Sequence, residues 1–510
     1  MNLHHRKMGM TVAGLLLTIL MASMDNTIVA TSMGTIVGQL GGLDKFVWVT
    51  SAYMVAEMAG MPIFGKLSDM YGRKRFYIFG IIVFMIGSVL CGTANTIVEL
   101  SLYRAVQGIG GGALVPIVFT VLLDAIPADK RGKLMGLFGA VYGMSSVFGP
   151  LLGAYITDHI GWKWIFYINL PLGLIALCLV MTSYHESLER SRQKIDWLGA
   201  MTLVGAVVCL MFALELGGKW YAWNSVQIIS MLAGFVLLAV IFLSVEARAK
   251  EPIISFRMFR NRLFATSTLI ALLSGAAFIV ASVYIPIYMQ GVQGGNATNS
   301  GLMLLPMMLG TVVTATGGGF VMNRLSYRSI LISTLVLLVA GLGLLTTISA
   351  DSSRLVVTLY MILVGLGIGA SFSVLTNAAV HSLPARERGA ANATLNFQRA
   401  LGMTVGITVF GILQNHSMTR KLTDSFAGGG TEDLPSGIDL SDPYVLMSPS
   451  TRTLLPQDTL SAITAGLSSS ISDTFAWGLI PAVLAVAAAF LMGGEKFDPK
   501  AEMEAYAASH

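Results

Sequence analysis

Pro127-Ala128-Asp129-Lys130-Arg131-Gly132 recurs as Pro384-Ala385-Arg386-Glu387-Arg388-Gly389, an offset of 257 residues. Carried backwards, the offset lays Gly108, Gly110 and Gly112 on Gly365, Gly367 and Gly369; carried forwards, it lays Gly149 on Gly406. A weaker echo, three residues out of phase, links Gly65, Asp69 and Gly72 to Gly319, Asn323 and Ser326. Each match joins long apolar runs, so the repeated unit is a bundle of membrane helices. Two bundles related by an axis along the membrane normal enclose a site between them. A chain built this way is expected to be a carrier.

The composition agrees with membrane burial. Mean hydropathy is +0.73, with 55% hydrophobic and 12% charged residues, whereas soluble domains carry about 25% charged residues. Spans long enough for a ~30 Å hydrocarbon core are expected at 10–34, 46–66, 76–95, 98–123, 133–157, 164–184, 196–217, 226–245, 263–290, 299–322, 328–349, 355–381, 389–414 and 472–492. Fourteen is even, so both termini share a side. With these spans, about 23 of the 32 Lys and Arg fall in the tails and the loops on that side, among them Arg73, Lys74, Arg75, Lys130 and Arg131. The positive-inside rule then places both termini in the cytoplasm of a cell membrane. The pI near 9.0 reflects this topology, and no nucleic-acid partner is needed to explain it. Arg6-Lys7 precedes an apolar run, but no small-residue cleavage site follows, so the first span is expected to stay uncleaved. Cys91, Cys178 and Cys209 lie apart within apolar runs and form no disulfide frame or metal site. No P-loop occurs, so no nucleotide and no cofactor is expected. Uphill transport would draw on an ion gradient or on a separate subunit.

The offset of 257 residues maps span 4 onto span 12, two spans more than a six-helix bundle contains. Spans 7 and 8 are therefore expected to be an inserted pair. The expected organisation is a six-helix bundle over 1–185, the inserted pair over 186–250 and a second six-helix bundle over 251–495, with a tail over 496–510. An extracellular loop is expected over about 415–471. Its middle is rich in Gly, Ser, Thr, Asp and Pro, as in surface loops, while its ends are candidates for helical extensions of the neighbouring spans.

Gly65-Lys66-Leu67-Ser68-Asp69-Met70-Tyr71-Gly72-Arg73-Lys74-Arg75 joins spans 2 and 3. Its glycines permit a tight turn between packed helices. Asp69 and Arg73, four apart, can pair on a helix, and Asp124 at the inner end of span 4 can complete a charge cluster. Alternatively the basic residues are topology anchors alone. This run resembles the loop between helices 2 and 3 of the major facilitator superfamily. Arg104-Ala105-Val106-Gln107-Gly108 is similar to the family's fourth-helix motif. Gly139, Gly143, Gly149, Pro150 and Gly153 are similar to its antiporter signature in helix 5, with Ala154 replacing a second glycine. Asp25-Asn26-Thr27-Ile28-Val29 and the Trp162–Pro171 run resemble the fourteen-helix drug:proton antiporters, most of all bacterial multidrug-efflux proteins. The resemblance spans about 8–495. It implies an all-α major facilitator fold of two six-helix bundles plus two inserted spans, non-enzymatic, moving small-molecule drugs against protons across the bilayer.

Asp25 lies mid-span, where an ionised carboxylate costs roughly 2.5–3.5 kcal/mol and needs a cavity or partner. Low-dielectric surroundings favour the neutral form of such an acid, as a proton carrier requires. The resemblance gives Asp25 a coupling or substrate role; the alternative is a neutral Asp bonded to a neighbouring helix. Arg104 must be held by acceptors, either as a fixed charge acting on a carboxylate or as a brace on backbone carbonyls. Its repeat partner is Met361, so proton chemistry is expected in the first half. Glu57 has no family role; it is either a site for cationic drugs or a satisfied packing acid. Arg399 is expected to snorkel or to gate the cytoplasmic side. Gly108/Gly112 and Gly149/Gly153 fit close helix packing, and Pro150 can bend span 5. Two other functions stay open: a dedicated exporter of one metabolite, lipid or antibiotic, and a membrane sensor without transport.

Overall fold

The computed structural model describes residues 2–40, 47–125, 148–186 except 154, 196–294 except 219 and 250, 297–426 except 382, and 456–497, with isolated positions between 137 and 145. The described regular structure is helical: α1 (Asn2–Leu40), α2 (Val47–Tyr71), α3 (Arg73–Thr93), α4 (Ile97–Ala125), α5 (148–153 and 155–159), α6 (Trp164–Ser183) and α7 (Trp197–Leu216). There follow α8 (Val226–Glu246), α9 (Arg262–Ile287), α10 (Ala297–Val321), α11 (Tyr327–Leu345), α12 (Arg354–Val380), α13 (Arg388–Phe426) and α14 (Gln457–Leu491). Apolar runs begin where a short polar residue can satisfy the first free amides. Asp196 caps α7, Ser225 α8, Asn261 α9, Ser326 α11 and Ser353 α12, each accepting a backbone N–H bond.

Eleven of the described helices are long and apolar enough to cross a membrane. Helices α2 and α13 are long enough, at 25 and 39 residues, but are not among them; α2 carries Glu57 and Lys66, and α13 carries Asn392, Asn396 and Arg399. Outward-facing apolar residues are numerous. Leu237 on α8 is 61% exposed and Leu102 on α4 63%, the surface expected of a protein solvated by hydrocarbon.

The repeat reappears as packing. Helix α4 lies against α2 and α3, and α12 lies the same way against α10 and α11. The glycines explain the closeness. A methyl group on Gly108 would fall on the Tyr53 carbonyl oxygen, one on Gly110 on the Phe84 amide, and one on Gly112 on the Glu57 carbonyl oxygen. Their repeat partners Gly365, Gly367 and Gly369 are pressed likewise against Met307, Leu338 and Thr311. Gly149 abuts Thr27 of α1, as Gly406 abuts Ala276 of α9.

Helix α7 packs on α8, α2 and α13. Ala200, Leu203, Val207 and Met211 of α7 join Met58 and Met61 of α2 and Phe397 of α13 in one apolar cluster, closed by Phe242, Ile253 and Ile254. The pair α7–α8 therefore covers the seam where α2 meets α13. Helix α13 continues to Phe426 and α14 begins at Gln457, so the flanks of the 415–471 stretch are helical. Lys421 and Ser417 of α13 bond to Asp473 of α14 there.

Candidate functional site

Two polar assemblies interrupt the apolar interior. The first joins five helices of the first half. Asp25 on α1 and Arg104 on α4 are each 0% exposed, and the Arg104 Nη1 donates to Asp25 Oδ2 in a short ion pair. The other carboxylate oxygen accepts from Gln107 Nε2 at 2.9 Å and from Asn169 Nδ2, on α6, at 2.7 Å. Ser88 Oγ on α3 accepts from both amides, at 2.8 and 3.2 Å. Arg104 also donates to Gln107 Oε1 at 2.6 Å, Asn26 Oδ1 at 3.3 Å and the Val49 carbonyl at 3.4 Å. Its guanidinium lies 4.2 Å from the centroid of the Tyr53 ring. Every oxygen of the buried carboxylate is thus occupied, which is the condition under which a buried pair is tolerated. Arg104 pairs with a carboxylate and also donates to a backbone carbonyl, the contacts that the two sequence alternatives call for.

Glu57 lies one turn after Tyr53 on α2 and is half-buried. A methyl group built on Gly111 would stand 2.6 Å from the Tyr53 hydroxyl and 3.6 Å from Glu57 Oε1, so the missing side chain of Gly111 lets these two groups pack against α4. The structure brings Asp25, Arg104 and Glu57 to one region.

The second assembly lies at the other end of α2. Asp69 Oδ1 accepts from Arg73 Nη2 at 2.9 Å, and Arg73 also pairs with Asp124 of α4. The three-member cluster read from the sequence is present. Asp69 has a further role, because its two oxygens accept from the backbone N–H groups of Gly389, at 3.0 Å, and Ala390, at 2.7 Å. These are the first amides of α13, so a carboxylate of the first half caps a helix of the second half, where the helix dipole favours negative charge. Gly65 permits this approach, since a methyl group there would strike Ala393 and the Gly389 carbonyl. Asn392 Nδ2 of α13 adds a bond of 3.1 Å to the Pro116 carbonyl of α4. Gly72 has φ +110°, open to glycine at little cost. The neighbouring Arg73 amide donates to Glu186. Lys74 Nζ donates to the Met181 and Tyr184 carbonyls at 2.7 Å each, and Lys66 pairs with Glu251 at 2.8 Å.

Of the helix 5 residues, Gly139, Gly143 and Ala154 lie outside the described residues. Gly149 and Gly153 face Thr27 and Thr31 of α1, with Pro150 between them on α5. Arg399 departs from expectation. It is 8% exposed and donates to Asn396 Oδ1 and to the Ser371 carbonyl at 3.2 and 3.0 Å, with its guanidinium 4.6 Å from the Phe372 ring centroid. It braces α12 on α13 within the second half and does not snorkel. Sequence reasoning gave no role to Ser88, Gln107 or Asn169. Gln107 carried a usable signal: three residues after Arg104, it shares that helix face.

The family model of the Major Facilitator Superfamily matches residues 15–407. The chain is 51% identical to Multidrug resistance protein 3 of Bacillus subtilis (strain 168) over 493 residues, covering 96% of each chain. It is 37% identical to the Multidrug transporter protein MdtP of the same organism over 418 residues, 82% of this chain and 77% of that one. Among solved structures, the proton:xylose symporter XylE superposes with TM-score 0.60 at 13% identity, covering 95% of both chains. The human organic anion transporter MFSD10 gives 0.58 at 14% identity, covering 94% of this chain and 99% of that one. At such identities these likenesses speak for the fold.

Proposed function

The chain belongs to the Major Facilitator Superfamily, and on that premise we propose that it is a proton-coupled exporter of amphipathic drugs, often cationic, in the cell membrane. It crosses the bilayer fourteen times with both termini in the cytoplasm. Residues 1–185 and 251–495 are the rocking bundles, and 186–250 is an inserted pair. The observation that carries this reading is the fully buried Asp25–Arg104 pair with its ring of amides. The names of the two Bacillus relatives support drugs as the cargo.

The pair performs coupling as follows. Protonated Asp25 no longer balances the fixed charge of Arg104, so the guanidinium turns toward Gln107, Asn26 and the Val49 carbonyl. These acceptors sit on α4, α1 and α2, so a proton at one carboxylate alters the packing of three helices. Asp69, held by the amides of α13, closes the cytoplasmic end, and the drug site in this state opens outward. Proton loss to the cytoplasm restores the pair and resets the cycle. A membrane potential contributes about 2.3 kcal/mol per charge per 100 mV.

The test is dye uptake into inverted vesicles containing the purified protein, driven by an imposed pH gradient. Mutual competition among chemically unlike dyes, and loss of uptake when nigericin collapses the gradient, are expected. Uptake that persists after collapse would overturn proton coupling, and a single accepted substrate would point to the dedicated exporter.

A further inference from the structure

Asp25 and Glu57 are both intramembrane acids of the first half, yet their surroundings differ in kind. Asp25 is 0% exposed, with one oxygen taken by Arg104 and the other by Gln107 and Asn169. A ligand cannot reach it without dismantling that ring. Glu57 is half-buried, and among the described residues no group donates to its carboxylate. Its Oε1 lies against Gly111 of α4, beside the Tyr53 hydroxyl. It also sits where the two halves meet: the next residue, Met58, accepts a bond from Thr404 Oγ1 of α13 at 3.7 Å. The group that can touch cargo is therefore Glu57, and the group sealed from cargo is Asp25.

We propose that Glu57 is the cation-selecting residue of the drug site, recognising lipophilic monovalent cations whose charge is shielded by apolar groups, such as phosphonium and quaternary ammonium compounds. This rests on the export reading, and it separates selection from coupling within that reading. The physical reason is differential desolvation. An ionised carboxylate without donors in a low-dielectric setting is costly, and an arriving cation removes that cost while a neutral molecule of the same shape does not. A weakly hydrated organic cation also loses little water on entry. Tyr53 is buried, with its ring face engaged by Arg104. Met54, on the same helix and 39% exposed, supplies soft, adaptable surface.

The experiment compares tetraphenylphosphonium with triphenylphosphine oxide, a neutral molecule of similar aromatic surface, by equilibrium binding to the purified full-length protein. Wild type is expected to bind the cation at least tenfold more tightly than the oxide. Glu57→Gln should abolish that preference while leaving oxide affinity within twofold, which also shows that the variant is folded. Glu57→Asp should retain a preference within threefold of wild type. The proposal is overturned if wild type shows no preference, if the Gln variant keeps it, or if both ligands weaken together. Uptake of tetraphenylphosphonium into inverted vesicles is read separately. Absent uptake with a Glu57-dependent binding preference would remove the export reading and leave the site.

Discussion

Consider Asp69→Asn. In the state described, Asp69 holds α13 through two backbone donors at 3.0 and 2.7 Å and holds Arg73 at 2.9 Å. Asparagine keeps one acceptor oxygen and turns an amide toward the second N–H, so one bond to α13 disappears and the other becomes neutral. Charge-assisted bonds are worth about 1.5–3 kcal/mol and neutral ones about 0.5–1.5. The lost attraction between carboxylate and helix N-terminus adds roughly 0.3–2 kcal/mol. Arg73 keeps Asp124 in both states, so that part largely cancels. The state closed at this end should lose about 3 kcal/mol relative to the open one, a shift on the order of a hundredfold in their ratio. The reporter is Ser68→Cys, next to the latch and at a position 0% exposed, with Cys91, Cys178 and Cys209 replaced by serine. Maleimide labelling of this cysteine should accelerate by tens-fold or more in the Asn variant. Turnover should fall while drug affinity stays within twofold. Unchanged labelling, or a large loss of affinity at normal turnover, would refute the latch.

Asp25→Asn keeps shape and most hydrogen bonds but cannot exchange a proton; gradient-driven efflux should vanish while membrane insertion and yield persist, as vesicle uptake and immunoblotting would show. Wild-type efflux in that variant would remove Asp25 from coupling. Gly108→Leu places a side chain on the Tyr53 carbonyl and should cost several kcal/mol in the manner of overpacking, seen as a collapse of thermal stability in detergent; an unchanged melting temperature would deny the close α2–α4 contact. Gly72→Ala should cost about 1–3 kcal/mol, because φ +110° strains any side chain, and should lower the melting temperature by a few degrees with drug binding intact.

The fold was legible because its causes are local and repeated. Apolar length marks the helices, and Gly108, Gly110 and Gly112 announce contacts that their counterparts at Gly365, Gly367 and Gly369 make again. The Asp69–Arg73–Asp124 cluster was readable because two members are a helical turn apart. What the sequence withheld are contacts between distant segments. Nothing near Asp69 announces that its oxygens reach amides 320 and 321 residues away. Asn169, 144 residues from Asp25, looks like any polar residue near a helix start. For Arg399 the snorkelling alternative fails because depth along a helix says where snorkelling could lead, whereas Asn396, the Ser371 carbonyl and the Phe372 ring satisfy it in place.

Gly389 and Ala390 receive Asp69 through their main chain, and this makes the latch lopsided under mutation. Ala390 keeps its donor under any replacement other than proline, so that half of the contact tolerates change as far as its buried side chain, 3% exposed, leaves room for it. Position 389 is the exception, since any Cβ there would press on the Asp69 carboxylate. Under selection by a new drug, the rate of opening at this end can be retuned in single steps at Asp69, Gly65 and Gly389, and at Asn392, whose side chain bonds across to α4. Variants that alter cycling speed without altering what is bound should therefore accumulate at these four codons.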